Sequence, residues 1–526
     1  MNARTLRSFL LSALAITGSL LPSGPVLLAQ GVTTAAIRGT VRAADGSDAD
    51  GTRVLVRNRA TGFIAESEVR YGRFLVQGLE VGGPYTVTLD RLGYLPERRE
   101  RVFLKLGKPL ELAFVLRAMP IPLDTLRVVS APSFPRINAQ GGPATTISDS
   151  LVRRLPTLNR NFYDFVVLAP QVSTKVGFQR GGLSGAGANL RFNNYLINGA
   201  DERFVNANLS PASNLGKSIP IDAVKEYQVL VAPYDVRYGD FAGAMVNTVT
   251  ESGTNDFQGS TFAYWRNDRL ARGGELAPNE PYDRLQYGFS LGGPVVRDRL
   301  HFFVAPEFQR LTSPAPGPYV GQSSTVTPSV PVSQADISRL DEIMRGYGLT
   351  PGSAGPIENG TPLRNLFTRL DLTMPEWNSR AIGFVSYAQR EDEGFSRSAR
   401  DTFSLSSYRV TTEAGLRLMS LQLHTDLRRT GGGHNQLLVS HSSDWVEFLP
   451  EVRQPLIRVH VPGTNQSLVT LNTGSAERAQ GRFGRAWSIR VRDELSLPWG
   501  ADHVLVLGAE AERFRSERGG VRGGYG

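Results

Sequence analysis

From residue 257 onward the sequence alternates. In residues 284–292, Leu285, Tyr287, Phe289 and Leu291 interleave with Arg284, Gln286, Gly288 and Ser290. In residues 299–309, Leu300, Phe302, Val304 and Phe308 share one face, and His301, Glu307 and Gln309 take the other. Trp487, Ile489, Val491, Leu495 and Leu497 alternate with Ser488, Arg490, Arg492 and Glu494. Weaker examples occupy residues 364–373, 380–389, 413–424 and 435–445. A period of two predicts strands, because successive side chains of a strand point to opposite faces. Segments of about ten residues with one apolar and one polar face are the signature of strands crossing a membrane in a β-barrel. A large soluble antiparallel sheet packed on one side would carry the same alternation. The polar second face favours the membrane. So do the long polar loops, notably residues 312–362, and the aromatics near segment ends (Tyr264, Trp265, Tyr287, Trp377, Tyr387, Trp499).

The N-terminus agrees with export. Arg4 and Arg7 precede an apolar run at residues 9–21, which Pro22, Ser23, Gly24 and Pro25 break. That is the layout of a secretory signal peptide, with cleavage expected after Ala29, and the run is too short to span a membrane as a helix. None of the 526 residues is Cys, which excludes a disulfide framework, Cys-based zinc sites and a lipidated N-terminal Cys. The net charge of +9 rests on scattered Arg without the basic block of a nucleic-acid arm. The 55 Gly and 32 Pro suit a turn-rich β protein, and the length suits several units.

Residues 32–117 read as a β-sandwich. Short alternating runs such as Ile37, Gly39, Val41 and Tyr85, Val87, Leu89 are separated by turn chemistry at Asp45, Gly46, Ser47 and at Gly82, Gly83, Pro84. The acidic turn Asp48, Asp50, Gly51 is not an EF-type calcium loop, which would need a carboxylate where Gly46 stands and a Glu where Arg57 stands. Residues 118–135 form a Pro-punctuated linker with one extended β-forming stretch, suited to adding a strand to a partner's sheet edge. Residues 136–253 predict a small α+β unit. A helix is expected to start near Leu151, a second over residues 161–169, and strands at residues 194–197, 224–231 and 244–250. The Gly-rich run Gly181, Gly182, Gly185, Gly187 lacks the Gly-Lys-Ser/Thr ending of a phosphate cradle. Gly239, Gly243 and Ala244 let the backbone pass close to another wall. The 6 His are scattered without metal spacing, and no catalytic constellation or cofactor site is legible.

Two resemblances sharpen this outline. Gly72, Phe74, Gly78, Leu79, Tyr85 and Val87 make the first unit resemble a carboxypeptidase regulatory-like domain, which has a carbohydrate-binding-like fold. Further on, Asn193, Asn194, Asn198, Gly199, Tyr238, Gly239, Gly243 and Asn247 lie in stretches similar to the plug of Oar-like TonB-dependent outer-membrane receptors. Residues 291–303 match an early barrel hairpin of that family. The family usually carries Asp where this chain has Asn198.

The resemblance implies a mainly β protein: an N-terminal sandwich, a small α+β plug, and at residues 254–526 part of a transmembrane antiparallel barrel. It implies outer-membrane lipid around the barrel, the N-terminal domain in the periplasm, and TonB with its proton-motive complex as partner. TonB would grip a box at Asp124, Thr125, Leu126, Arg127, Val128, Val129 and Ser130. The ligand-facing surface is expected in residues 180–191 and 201–208. Roughly nine or ten strands follow residue 257, whereas plugged transporters close with 22, so an incomplete barrel is expected. The ligand is not legible, since siderophore, vitamin, oligosaccharide and peptide receptors share this plug logic. The alternatives are a surface carbohydrate-binding or adhesion protein acting through the sandwich, and a non-functional truncated receptor.

Overall fold

The computed structural model describes residues 33–520, apart from 107–108, 120–143, 156, 158–159, 174–182, 190–191, 203–217, 232–236, 271–280, 323–329, 399–400, 428–431, 464–466 and 500–502. The signal peptide and the candidate box at Asp124 to Ser130 lie outside the described residues.

The first unit has seven strands: β1 (Ala35–Ala43), β2 (Arg53–Asn58), β3 (Ile64–Glu68), β4 (Arg73–Leu79), β5 (Gly82–Asp90), β6 (Glu97–Leu104) and β7 (Leu110–Leu116). They form two sheets, ordered β4-β1-β7 and β3-β2-β5-β6. Alternate residues turn inward, so Ile37, Val54, Val56, Leu79, Val87 and Leu89 make one core. Each such side chain contributes about 1.5–3 kcal/mol relative to exposure. The acidic turn has a structural use. The Asp50 carboxylate accepts the amides of Tyr71 and Gly72, both at 2.7 Å, where the chain turns through positive φ at both residues.

The second unit contains β8 (Ala144–Ser148), α1 (Asp149–Arg154), α2 (Tyr163–Val166), β9 (Val172–Ser173), β10 (Ser184–Gly185), β11 (Asn194–Ile197), β12 (Ala200–Asp201), β13 (Val224–Val231) and β14 (Ala244–Thr250). Its sheet runs β12-β11-β14-β13-β8. Every residue of β14 is buried, as befits a strand covered on both faces. The helix expected over residues 161–169 shrinks to the single turn of α2, whose Phe165 stacks on Tyr227 of β13. Phe162, Phe165, Val166 and Ala169 still pack into the plug core, but from a single turn and the loop around it rather than from a helical stripe.

The remainder is a meander with a small cap. Its elements are β15 (Gln258–Asn267), β16 (Asp283–Val296), β17 (Leu300–Pro314), α3 (Gln334–Gly346), β18 (Glu358–Gly360), β19 (Leu363–Met374), β20 (Ser379–Gly394), β21 (Thr402–Ser404), β22 (Val410–Leu427), β23 (Gly433–Pro450), β24 (Ile457–Pro462), β25 (Leu468–Thr473), β26 (Phe483–Trp499) and β27 (His503–Gly519). The wall pairs antiparallel in the order β15-β16-β17-β19-β20-β22-β23-β26-β27, with β18 added to the end of β17. β15 and β27 are the two edges of this sheet and do not pair with each other.

Which face is buried separates a membrane wall from a soluble sheet. Leu285, Tyr287, Phe289 and Leu291 of β16 are exposed at 38%, 47%, 45% and 39%, while their neighbour Gln286 is buried. On β22, Met419 and Leu421 are exposed while Ser420, Gln422 and His424 are buried. A soluble sheet would bury the apolar face. Here it is presented outward and the polar face is turned in, as in a barrel surrounded by lipid.

Successive strands are joined alternately by short turns at one end and long loops at the other. The loops at residues 315–357, 395–409 and 451–482 meet in the cap. There α3, with Ser333 as its N-cap, packs Ile337, Leu340 and Met344 against Phe403, Leu405, Val469 and Leu471 of the sheet β21-β25-β24 and the loop beside it. The polar loop expected at residues 312–362 therefore contains a helix and half a core. Its i, i+3, i+7 spacing was present, but short apolar runs among Gly and Pro mask it.

Candidate functional site: the seam between plug and wall

The motif residues of the second unit converge where β11 meets β14. Asn198 and Gly199 have φ of 46° and 75° and join β11 to β12, with Ile197 opposite Ala200. An Asn-Gly pair suits this two-residue turn, in which both central residues need positive φ. The Asn198 side chain then reaches back. Its Oδ1 accepts the Thr250 amide at 3.0 Å, and its Nδ2 donates to Thr250 Oγ1 at 2.8 Å. Gln422 of the wall donates to the Asn198 carbonyl at 2.6 Å. One turn thus ties the last plug strand to β22.

Asn193 does the same at the other end of β11, accepting the Ala244 amide at 2.9 Å and donating to the Leu183 carbonyl at 2.6 Å. Gly243 passes against it: a Cβ there would fall 2.4 Å from Asn193 Oδ1. Asn194 and Asn247 are buried in the sheet, and Tyr238 packs beside Leu196, Leu230 and Met245. Gly239 lies in the same connection, short of β14. The close approach expected of Gly243 is therefore to the plug's own loop, because Asn193 fills the space beside it. A close approach to the wall comes instead just after β14, at Gly253, where a Cβ would fall 2.3 Å from the Phe302 carbonyl oxygen.

Arginines join plug to wall: Arg490 and Arg369, which are buried, and Arg160, which is partly buried. Arg490 of β26 reaches Asp201 at 3.1 Å and Asp240 at 3.3 Å on the plug, and Glu510 at 3.2 Å and Glu512 at 3.1 Å on β27. Arg160 of the plug meets Asp222 at 2.8 Å and lies 3.9 Å over the Phe262 ring of the wall. Arg369 of β19 donates to the Thr250 carbonyl at 3.1 Å and to Thr250 Oγ1 at 3.0 Å. Arg369 also pairs with Asp371 at 2.7 Å. Burial pushes the Glu202 carboxyl up to about 8, helped by Asp201 and opposed by Ser218. Burial also raises Asp222, against the pull of Arg160.

Arg490 sits on a face recognised only as polar in the sequence, and its plug partner Asp240 lies 250 residues away. Of the expected ligand-facing stretches, Asp201 is held in the Arg490 cluster, and most of the rest lies outside the described residues. Among the described residues no group of three or more His, Asp or Glu could hold a metal ion. The seam binds charge to charge, an arrangement that can hold the plug or release it.

Residues 249–368 match the outer membrane beta barrel domain, and residues 36–117 match the carboxypeptidase regulatory-like domain. A stretch of 253 residues is 26% identical to the TonB-dependent transporter Oar of Myxococcus xanthus, covering 43% of this chain and 22% of that protein. Over that stretch the chain is similar to the TonB-dependent transporter Oar. The stretch that matches the outer membrane barrel model takes in the first strands of the wall. Among solved structures, the outer membrane transporter YddB from Escherichia coli aligns over 71% of this chain and 48% of its own, at 12% identity and a TM-score of 0.48. The siderophore receptor PirA from Pseudomonas aeruginosa aligns over the same shares at 15% identity and a TM-score of 0.43. The chain thus spans about a fifth of Oar (22%) and about half (48%) of these receptors.

Proposed function

We propose that this Oar homologue provides the plug, and the part of the barrel around it, of a TonB-dependent transporter whose ligand is unidentified. The observation that carries the reading is the inverted wall with a plug ionically tied to its inner face. A plug held by buried ion pairs and hydrogen bonds stays seated until work is applied to it. TonB, gripping Asp124 to Ser130 as an added strand, supplies that work. The first described strand beyond this box is β8, an edge of the plug sheet held to β13 by pairing from Ala144 to Ser148. A pull on the box therefore reaches the plug at an edge strand, where pairing is on one side only. No enzymatic step enters this account.

The sandwich is assigned no glycan site. Its Phe63, Phe74 and Tyr85 belong to its core, and Tyr71 and Phe103 are exposed on different strands and turns. A titration of the detergent-solubilised chain with the purified periplasmic domain of TonB tests the proposal. Binding is expected, and Leu126→Pro, which removes a main-chain donor from the added strand, is expected to weaken it at least tenfold. Equal binding by the variant would reject the box, and no binding by the parent chain would reject the TonB-driven mechanism.

A further inference from the structure

The sandwich is seated on the short-turn end of the wall and directly under the plug. The Asn255 amide donates to the Ala60 carbonyl at 2.8 Å, and a Cβ at Gly62 would fall 2.8 Å from Asp298 Cβ. Gln77 donates to the Gly432 carbonyl at 3.2 Å and accepts from Ser496 Oγ at 2.8 Å. Val249, from the plug strand that leads into the wall, is part of the sandwich's own hydrophobic core. On the other plug strand, Glu226 accepts the Leu106 amide at 3.3 Å.

The decisive contact is Glu80, at the end of β4. Its carboxylate is buried and meets Arg369 at 3.0 Å and Arg380 at 3.3 Å, two residues of the wall. Lys225 of the plug adds a third positive charge. Arg369 is also the residue that donates to Thr250. A single guanidinium therefore joins the sandwich, the last plug strand and the wall. A domain merely tethered at the mouth would meet it through a hydrated rim. A desolvated carboxylate among three cations, beside a shared apolar core, is instead a fitted joint.

We propose that the sandwich is a periplasmic latch: with Glu80 inserted among Arg369, Arg380 and Lys225, the plug strands β13 and β14 cannot leave the wall until the sandwich lifts. This rests on the transporter reading for what is gated, but the latch itself is testable without TonB or ligand. Amide exchange of the full chain in detergent reads it directly. In Glu80→Arg, β13 and β14 are expected to exchange at least tenfold faster while β1, β2 and β5 keep their protection. The absence of native Cys allows a second, opposite variant, the pair Gly62→Cys and Asp298→Cys. Their Cβ positions need to separate by about 1 Å to accept a disulfide. The oxidised pair is expected to slow β13 and β14 exchange at least threefold relative to the reduced pair. If Glu80→Arg leaves plug exchange unchanged with the sandwich folded, the latch is overturned. If that variant unfolds the sandwich, equal exchange in the oxidised and reduced pair overturns it instead. A latch that fails while TonB still binds leaves the transporter reading intact, and loss of TonB binding leaves the latch intact.

Discussion

Replacing Asn198 separates what its turn needs from what its side chain holds. Thr250 is buried, and its amide is accepted by Asn198 Oδ1. Asn198→Ala removes that acceptor, and a buried N–H left without its partner costs about 1–3 kcal/mol. The lost bond to Thr250 Oγ1 adds about 1 kcal/mol. Alanine at φ 46° adds about 1 kcal/mol more, since it lacks the local bonding that eases Asn into that region. The sum is about 3–5 kcal/mol for local opening of β14, or roughly two to three and a half powers of ten in exchange rate. Asn198→Asp should behave differently. One oxygen still accepts the Thr250 amide, and the other accepts the Thr250 hydroxyl once it rotates, leaving Oγ1 to accept from Arg369. Exchange within about tenfold of the parent is expected, a difference of about 1.4 kcal/mol. The assay is amide exchange resolved to Ala244–Thr250 at fixed pH and temperature. If Asn198→Ala exchanges within threefold of the parent, or Asn198→Asp is as fast as Asn198→Ala, the side-chain clamp is wrong.

Three further outcomes follow from the wall and from the contacts of the sandwich with plug and wall. Leu421 is 58% exposed on the outward face of β22, so Leu421→Arg should cost about 2–4 kcal/mol near the bilayer midplane and reduce the heat-modifiable outer-membrane species. Leu421→Ala should assemble normally; equal assembly of both variants would return the wall to a soluble sheet. Glu226 is pushed up to about 7 by burial, in spite of the Leu106 amide and Lys105 nearby. The folded state therefore binds the proton more tightly than the unfolded state does, so this group's contribution is complete below about pH 4.5 and is lost as the pH rises through 7. The loss is on the order of 3 kcal/mol, and Glu226→Gln should flatten that slope in pH-dependent denaturation of the chain. Glu80 runs the other way. Burial alone would raise it, but Arg369, Lys225 and Arg380 outweigh burial and hold it at about 2, so its contribution is lost on acidification below about pH 4.5.

Local chemistry was legible and distant pairing was not. The period of two in Leu285 to Leu291 marked the wall strands, because a strand's alternation is written in consecutive residues. The sequence also placed Arg490 and Arg492 on the polar face of their strand, but it contained nothing to say that Asp201 and Asp240 would meet Arg490. Such a meeting depends on where a plug sits inside a curved sheet. The seating of the sandwich was hidden more thoroughly. Glu80, Arg369 and Arg380 each look like solvated surface charge, and only the fold removes the water between them. Phe303, Phe367 and Phe384 show the same limit: they interrupt the polar side of their strands, and the reason is the plug packed against them.

The cap at the long-loop end has a consequence for how this surface can change. Its core draws Leu340 and Met344 from one loop, Phe403 and Leu405 from a second, and Val469 and Leu471 from a third. Loops on a barrel rim are commonly free to drift one at a time. Here a residue lost from any of the three leaves a void shared by the other two, so they behave as a single inheritance. A change of specificity on this rim would come more readily from exposed positions such as Tyr347 and Leu468 than from exchanging a whole loop.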